Sequence, residues 1–154
     1  LLTVFISQEF LDKPEKSFCI REYPTLEGLV EKDWGGSFEE VKPFPLFPKL
    51  IENDYPETDS GDIPSALEEI IALKEEEEGF NYGDLLISSS IDVKHKIGGY
   101  GDYCQSFCGF EAGYEFVLQI ASDHKADLYI GHEGNIYFAK NLVNNQWQAD
   151  WDCY

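Results

Sequence analysis

The chain is poor in basic residues. Its 154 residues include 11 Lys and Arg against 30 Asp and Glu, which gives a formal net charge of -19 and a pI near 4.2. Binding of DNA or RNA through phosphates needs clustered Lys and Arg, and anionic membrane surfaces attract basic segments. The composition therefore argues against a nucleic-acid partner and against a membrane partner.

Long apolar runs, methionine and a cysteine framework are also lacking. No stretch approaches the roughly 20 apolar residues of a membrane-spanning helix, and the apolar start is too short for a signal peptide. The four cysteines are Cys19, Cys104, Cys108 and Cys153. So few cysteines do not make a disulfide scaffold, and we expect reduced thiols and a cytoplasmic protein. Because the chain holds no Met and opens inside a strand-like run, we also expect an N-terminal portion before Leu1.

Aromatic residues, in contrast, are abundant. They make up 15% of the chain, and hydrophobic residues together make up 43%. A disordered acidic segment lacks this much apolar area, and the length suits one folded domain. We therefore expect a single domain over residues 1–154.

The negative charge is concentrated in one stretch. Residues 52–78 carry eleven acidic residues and one base, a net charge of -10, whereas residues 79–110 carry a net charge of only -1. The first part of the acidic stretch is typical of a loop, because turn-forming residues follow one another without an apolar period.

A helix is predicted after this loop. Ser65 as the N-cap and Glu68 three residues later fit a capping box, and Gly79 is a natural stop. Three apolar residues share one face, namely Leu67, Ile70 and Ile71. The helix ends in four acids, Glu75, Glu76, Glu77 and Glu78. The helix dipole disfavours anions there, so the run is either a surface used by a basic partner or a solvated helix end that frays.

The C-terminal third has the clearest strand pattern. Apolar and polar residues alternate over Tyr114–Ser122. The apolar face of this strand holds Phe116, Leu118 and Ile120. Residues 135–153 predict a β-hairpin with a turn at Asn144–Asn145. The inner face of the hairpin carries Trp147 and Trp151.

The rest of the chain is less regular. Leu1–Ile6 and Phe18–Tyr23 are typical of strands, the first of them buried, and Thr25–Lys32 is a candidate short helix. Three prolines restrict residues 41–51 to an edge strand or an extended connector, while residues 84–93 fit a helix or a strand. These elements predict an α+β fold, mainly antiparallel β-sheet with few helices.

The most unusual stretch is residues 95–105, His-Lys-Ile-Gly-Gly-Tyr-Gly-Asp-Tyr-Cys-Gln. Its three glycines permit positive φ and anion-binding nests of N–H groups, but its spacing fits neither a P-loop nor a dinucleotide fingerprint. The stretch is either a ligand or partner site or a tight connection held by its own side chains. Its candidate binding residues are His95, Gly98, Gly99, Tyr100, Asp102 and Gln105. Asp123 and His132 complete the candidate set, although each also fits a turn.

Motifs for metal binding and catalysis are weak. Cys104 and Cys108 together with His95 and His132 form a chemically possible metal site, but no second pair has zinc-finger spacing. The chain has no G-x-S-x-G elbow, and no local signature supports Cys104 as a nucleophile. We expect no enzyme, no metal and no cofactor.

Four segments resemble, in the same order, motifs of the YwqG-like family of uncharacterised bacterial proteins. The segments are residues 95–105, 118–123, 134–138 and 150–154. They resemble, in turn, the motifs H-x-I/L-G-G-Y-P-D-x-x-Q, L-Q-I-D-S-D, G-x-I-Y-F and a closing W-x-C-Y. Gly101 replaces the usual proline, and residues 130–133 depart from a frequent W-G-D.

The resemblance implies an α+β fold rich in β-sheet, without known catalytic residues. The family is similar to the programmed-cell-death-protein-two domain, whose members escort a basic ribosomal protein, and its bacterial members are discussed as immunity proteins. With the net charge of -19, this predicts an escort or immunity protein for a basic protein partner. The alternatives are a small-molecule-binding protein or hydrolase that uses the 95–105 loop, and a purely structural domain.

Overall fold

Two antiparallel sheets and two helices make up the part of the chain that the computed structural model describes, which is residues 1–30, 41–56, 63, 65–79, 81–89, 95–105 and 109–154. The strands are β1 (Leu2–Ile6), β2 (Phe18–Glu22), β3 (Lys96–Ile97), β4 (Tyr114–Ala121), β5 (Asn135–Asn141) and β6 (Trp147–Asp152). The α-helices are α1 (Ser65–Glu78) and α2 (Tyr82–Ser89), and a single turn of 3-10 helix spans Pro14–Lys16 between β1 and β2. The predicted α+β class with mainly antiparallel sheet is confirmed.

The larger sheet has the strand order β3-β4-β5-β6, and all its neighbours are antiparallel. Paired residues share a face and neighbours in the chain alternate between faces, so the register divides the sheet into two unlike surfaces. The apolar face carries Leu118, Ile120, Ile136, Phe138, Trp147, Ala149 and Trp151. The polar face carries Lys96, Gln119, Asn135, Tyr137 and Asp152.

The β1–β2 hairpin covers the apolar face and forms the second layer of the core. Phe10, in the connection between the two strands, is 1% exposed, and its ring lies 6.2 Å from that of Phe138. Trp151 donates its indole N–H to the Leu11 carbonyl at 3.0 Å, and Trp147 donates to the Glu22 carboxylate at 3.1 Å. The predicted C-terminal hairpin with two inward tryptophans is therefore confirmed.

A β-bulge in β4 changes the face on which Phe116 lies. Phe116 pairs with Ala139, but Leu118 pairs with Phe138, so the register shifts by one residue between them. Phe116 thus shares the face of Ala139, and Val117 packs against the core instead. The predicted placement of Phe116 beside Leu118 is wrong, because strict alternation does not hold across a bulge.

Two further predictions about the N-terminal part need correction. Strand β1 is half-buried rather than buried, because its outer face is open and Phe5 is 42% exposed. Residues 25–30 form a single turn, in which Leu29 donates to the Leu26 carbonyl, and not the start of a helix. Gly28 has a φ of 78°, which a right-handed helix does not allow. The last two residues of the predicted helix lie outside the described residues.

The observed bounds of the helices agree more closely with those predicted from the sequence. Helix α1 ends before Gly79, whose φ is 65°, but it already includes Ser65, the predicted N-cap, and so begins one residue earlier than predicted. The ambiguous segment 84–93 belongs to helix α2 as far as residue 89, and residues 90–94 lie outside the described ranges. Asn81 caps α2 by accepting the Asp84 N–H at 2.9 Å.

Residues 41–51 form an extended connector. No described strand pairs with them, and residues 41–50 are all exposed. Of the two predicted forms, an edge strand and a connector, the structure shows the connector.

Replacement of Phe138 by Ala is expected to lower the free energy of unfolding by about 3–5 kcal/mol, because its fully buried ring leaves a cavity. The matched control is Phe47→Ala, where the ring is 87% exposed and the expected change is within about 0.5 kcal/mol. Urea unfolding of both variants measures the difference, and equal losses would contradict the assignment of the core.

Candidate functional site

The glycine-rich loop, residues 98–105, lies across the polar face of the larger sheet. Gly98 and Gly99 have φ values of 73° and 70°, and the chain turns back over the sheet after β3. The predicted positive φ is confirmed at these two glycines but not at Gly101. The buried ring of Tyr103 packs against that of Tyr137, with 4.6 Å between their centroids. The loop thereby covers the polar side chains of the strands beneath it.

Lys96 holds two carboxylates at one end of the loop. Its side chain is 7% exposed, and its ammonium lies 2.9 Å from the Asp54 carboxylate and 3.4 Å from that of Asp102. The second oxygen of Asp54 accepts the Tyr100 N–H at 2.8 Å. A side chain at Gly99 would place its Cβ 2.0 Å from this oxygen, so the close approach of Asp54 requires glycine there.

The backbone of Asp102 is held by the side chains of two strands. Gln119 accepts the Asp102 N–H at 2.8 Å, and Asn135 donates to the Asp102 carbonyl at 2.8 Å. Burial raises the pKa of the Asp102 carboxyl, and the nearby Lys96 ammonium partly offsets this shift. Both the N–H and the carbonyl of Asp102 therefore have hydrogen-bond partners within the chain.

Asp152 holds the other end of the loop. One of its oxygens accepts the N–H groups of Cys104 at 2.9 Å and of Gln105 at 3.3 Å, and the other accepts the Tyr137 hydroxyl at 2.6 Å. The Gln105 side chain donates to the Cys153 carbonyl. A single carboxylate thus binds two successive amides, as an anion does in a nest of N–H groups.

Two groups around Asp152 are held in their protonated forms. Burial raises the pKa of the Cys104 thiol to about 12, and the Asp152 carboxylate adds to the shift. Burial likewise raises the pKa of the Tyr137 hydroxyl far above its usual value, with Asp152 again contributing. A thiolate is the nucleophilic form of cysteine, so Cys104 is poorly suited to nucleophilic chemistry near neutral pH.

His95 and Asp123 form a second, smaller pair beside the loop. The His95 Nδ1 accepts the Ala121 N–H at 3.2 Å, and its Nε2 lies 3.4 Å from the Asp123 carboxylate. Because Nδ1 is the acceptor, the neutral ring carries its proton on Nε2, which faces Asp123. Asp123 also accepts the Lys125 N–H at 2.8 Å, so the predicted turn at this residue is confirmed.

The structure brings most of the sequence-predicted residues together but separates some of them. The group around the loop holds His95, Gly98, Gly99, Tyr100, Asp102, Gln105 and Asp123. His132 lies in an exposed turn before β5, and its carbonyl accepts the Tyr154 N–H at 3.3 Å. The four acids Glu75 to Glu78 lie on α1, not on the loop.

Other side chains of this network were not predicted as site residues, among them Asp54, Lys96, Gln119, Asn135, Tyr137 and Asp152. The last four lie on strands and alternate with core residues, so the period of two could have placed them on the polar face. Asp54 lies 42 positions before Lys96 in the chain, and no local pattern relates the two.

The described residues hold no group of three or more His, Cys, Asp and Glu side chains placed to bind a metal ion. Cys108, one member of the metal site considered from the sequence, lies outside the described residues. Neither described helix has the length and apolar character needed to span a membrane.

Comparison of the chain with protein-family models, with curated proteins and with solved structures found no match.

Gly99→Ala is expected to destabilise the protein more than Gly98→Ala. Both residues have positive φ, which costs an L-residue about 1–2 kcal/mol, but only Gly99 has the Asp54 carboxylate within 4 Å of the added Cβ. In an Asp54→Ala background the two alanine variants should lose equal stability. Urea unfolding of this set measures the coupling, and equal losses in the unsubstituted background would contradict the close approach.

The high pKa of Cys104 predicts slow alkylation and alkaline destabilisation. The folded state keeps the thiol proton more tightly than the unfolded state does, so the free energy of unfolding should fall as pH rises from about 9 towards 12. With the other cysteines replaced by Ser, Asp152→Asn should shift the alkylation profile of Cys104 to lower pH. An unchanged profile would show that the carboxylate does not act on the thiol.

Proposed function

We propose that this chain is a cytoplasmic binding protein of the YwqG-like type, an escort or immunity protein that binds a basic protein partner. We propose helix α1 as its contact surface. The observation that carries the proposal is the exposure of this acidic helix: none of its fourteen residues, all of them described, is buried.

The outer face of α1, which we define as Glu69, Leu73, Glu76 and Glu77, is an apolar centre with an acidic rim. These glutamates stand four residues before Leu73 and three and four residues after it, so all three are its neighbours on the helix surface. Leu73 is 56% exposed, and the glutamates are exposed as well. The half-buried Leu67 and Ile71 lie on another side of the helix.

The four acids at the end of α1 divide into two kinds. Glu75 accepts the Tyr82 N–H at 3.0 Å and so joins α1 to the start of α2, and Glu78 pairs with Lys74. Glu76 and Glu77 point instead to the outer face. Because the end of α1 is bonded to α2, these contacts favour an ordered surface over a helix end that frays.

This outer face fits an amphipathic basic segment. An apolar side chain of the partner would cover Leu73, whose burial contributes about 1.5–3 kcal/mol. Lys or Arg side chains on either side of it would meet the three glutamates. Such rim charges act mainly on the association rate and on its dependence on salt.

The alternative function, small-molecule binding or hydrolysis at the glycine-rich loop, has weaker support. The amides of Tyr100, Cys104 and Gln105 donate to Asp54 and Asp152, so an anionic ligand would have to displace a carboxylate. The protonated Cys104 thiol is also a poor nucleophile. These contacts favour a structural role for the loop, and we propose no enzymatic activity.

Charge reversal of the outer face tests the proposal. The triple variant Glu69→Lys, Glu76→Lys, Glu77→Lys should weaken binding of a basic partner protein, captured at low salt and then purified, by at least about tenfold. Most of this loss should be in the association rate, and high salt should reduce the difference between the two proteins.

A matched control separates the surface from the net charge. Glu9, Glu27 and Glu111 are also exposed, and their replacement by Lys changes the net charge by the same amount. Equal weakening by both triple variants, or binding that does not change with salt, would contradict a specific contact at α1.

A further inference from the structure

The extended connector, residues 41–51, exposes apolar side chains and is part of neither α1 nor the glycine-rich loop. Its sequence is Val-Lys-Pro-Phe-Pro-Leu-Phe-Pro-Lys-Leu-Ile. Phe47 is 87% exposed, Leu50 is 83% exposed and Leu46 is 61% exposed. Contiguous exposed apolar residues of this size mark interaction sites on soluble proteins.

Proline restricts the backbone of the central part of the connector, residues 42–48. Pro43, Pro45 and Pro48 have a fixed φ near -65°, and each residue that precedes a proline is restricted to the β or polyproline II region. Six of the seven residues from 42 to 48 are therefore restricted by the sequence itself. The polyproline II helix has no internal hydrogen bonds, which agrees with a segment that no described strand pairs with.

A polyproline II helix repeats every three residues, and Phe44, Phe47 and Leu50 have this spacing. In that conformation the three side chains would share one edge, about 9 Å apart along the axis. We call these three residues the apolar ridge. Pro45 and Pro48 fall together on the adjacent edge, so the segment presents two neighbouring apolar edges.

Both ends of the connector are fixed to the body of the protein. At its start, Lys42 donates its N–H to the Ala126 carbonyl at 2.7 Å and pairs with Asp127, and the Lys125 ammonium lies 5.6 Å from the Phe44 ring centre. After its end, Asp54 is held by Lys96. The ridge is therefore already ordered, which reduces the conformational entropy lost on binding.

The connector also differs in charge from the rest of the chain. Residues 41–51 contain two lysines and no acidic residue, on a chain with a net charge of -19. A partner for this segment would be complementary if it carried acidic residues beside an apolar groove. The outer face of α1 has the opposite charge, so one partner surface would not suit both.

We propose that residues 41–51 are a ligand for a protein domain whose aromatic-lined groove recognises polyproline II segments. Such grooves take apolar edges at the three-residue period and use a flanking basic residue to fix orientation. Phe47 and Leu50 are the anchoring side chains, Pro45 and Pro48 restrict the backbone to the polyproline II region, and Lys49 is the flanking basic residue.

The test is titration of the full chain into purified SH3 domains that carry acidic residues beside the groove, followed by calorimetry. The variant Phe47→Ala, Leu50→Ala should lower the affinity about a hundredfold, because it removes two anchoring side chains. Pro45→Ala and Pro48→Ala keep both anchors and should weaken binding about two- to fivefold each, because they release the restricted backbone.

The matched control is Leu142→Ala, Val143→Ala in the turn between β5 and β6, where the two side chains are 63% and 92% exposed. This variant should leave the affinity unchanged. Absence of binding by the unsubstituted chain, or equal binding by the ridge variant, would overturn the proposal. So would a concentration-dependent dimer in sedimentation that Phe47→Ala abolishes, since a second copy would then cover the ridge.

Discussion

The burial of strand β5 on both faces is the constraint on which the rest of the structure depends. Residues 134–139 are all buried, and Tyr137 and Phe138 are both 0% exposed although they point to opposite sides. The apolar side is covered by the β1–β2 hairpin. Packing of apolar side chains against each other needs no directional bonds. The polar side is covered by the glycine-rich loop, where every buried polar group needs a partner.

That second requirement accounts for the composition of the loop. Asp54 approaches the loop backbone so closely at Gly99 that a Cβ there would collide with its carboxylate. The carboxylates of Asp54 and Asp152 then bind the loop amides that a ligand would otherwise use. The same burial that orders the loop raises the pKa of Cys104 and Tyr137. The amides of a stretch that resembles a binding site in sequence are therefore bonded to carboxylates of the chain itself.

The period of two in the sequence was enough to predict the C-terminal sheet. It placed Trp147 and Trp151 on the inner face, and the pair of asparagines indicated the turn, where Asn145 has a φ of 59°. It failed at Phe116, since a bulge changes the face of a residue without a mark in the sequence. It also could not predict the contact of Asp54 with Lys96, because a contact between residues far apart in the chain leaves no local pattern. The candidate residues of the loop were found from glycine and polar content, but their partners on the strands were not.

The two layers of the core come from opposite ends of the chain, and this has a consequence for how the protein is made. The Trp147 and Trp151 indoles bond to residues 125 and 140 positions earlier. At the usual rate of about 5–20 residues per second, synthesis of the residues between these partners takes on the order of ten seconds. During that time the first two strands leave the ribosome without the sheet that they will cover. A two-stranded hairpin is marginally stable alone. Its apolar side therefore stays exposed to solvent until the last strand has been synthesised.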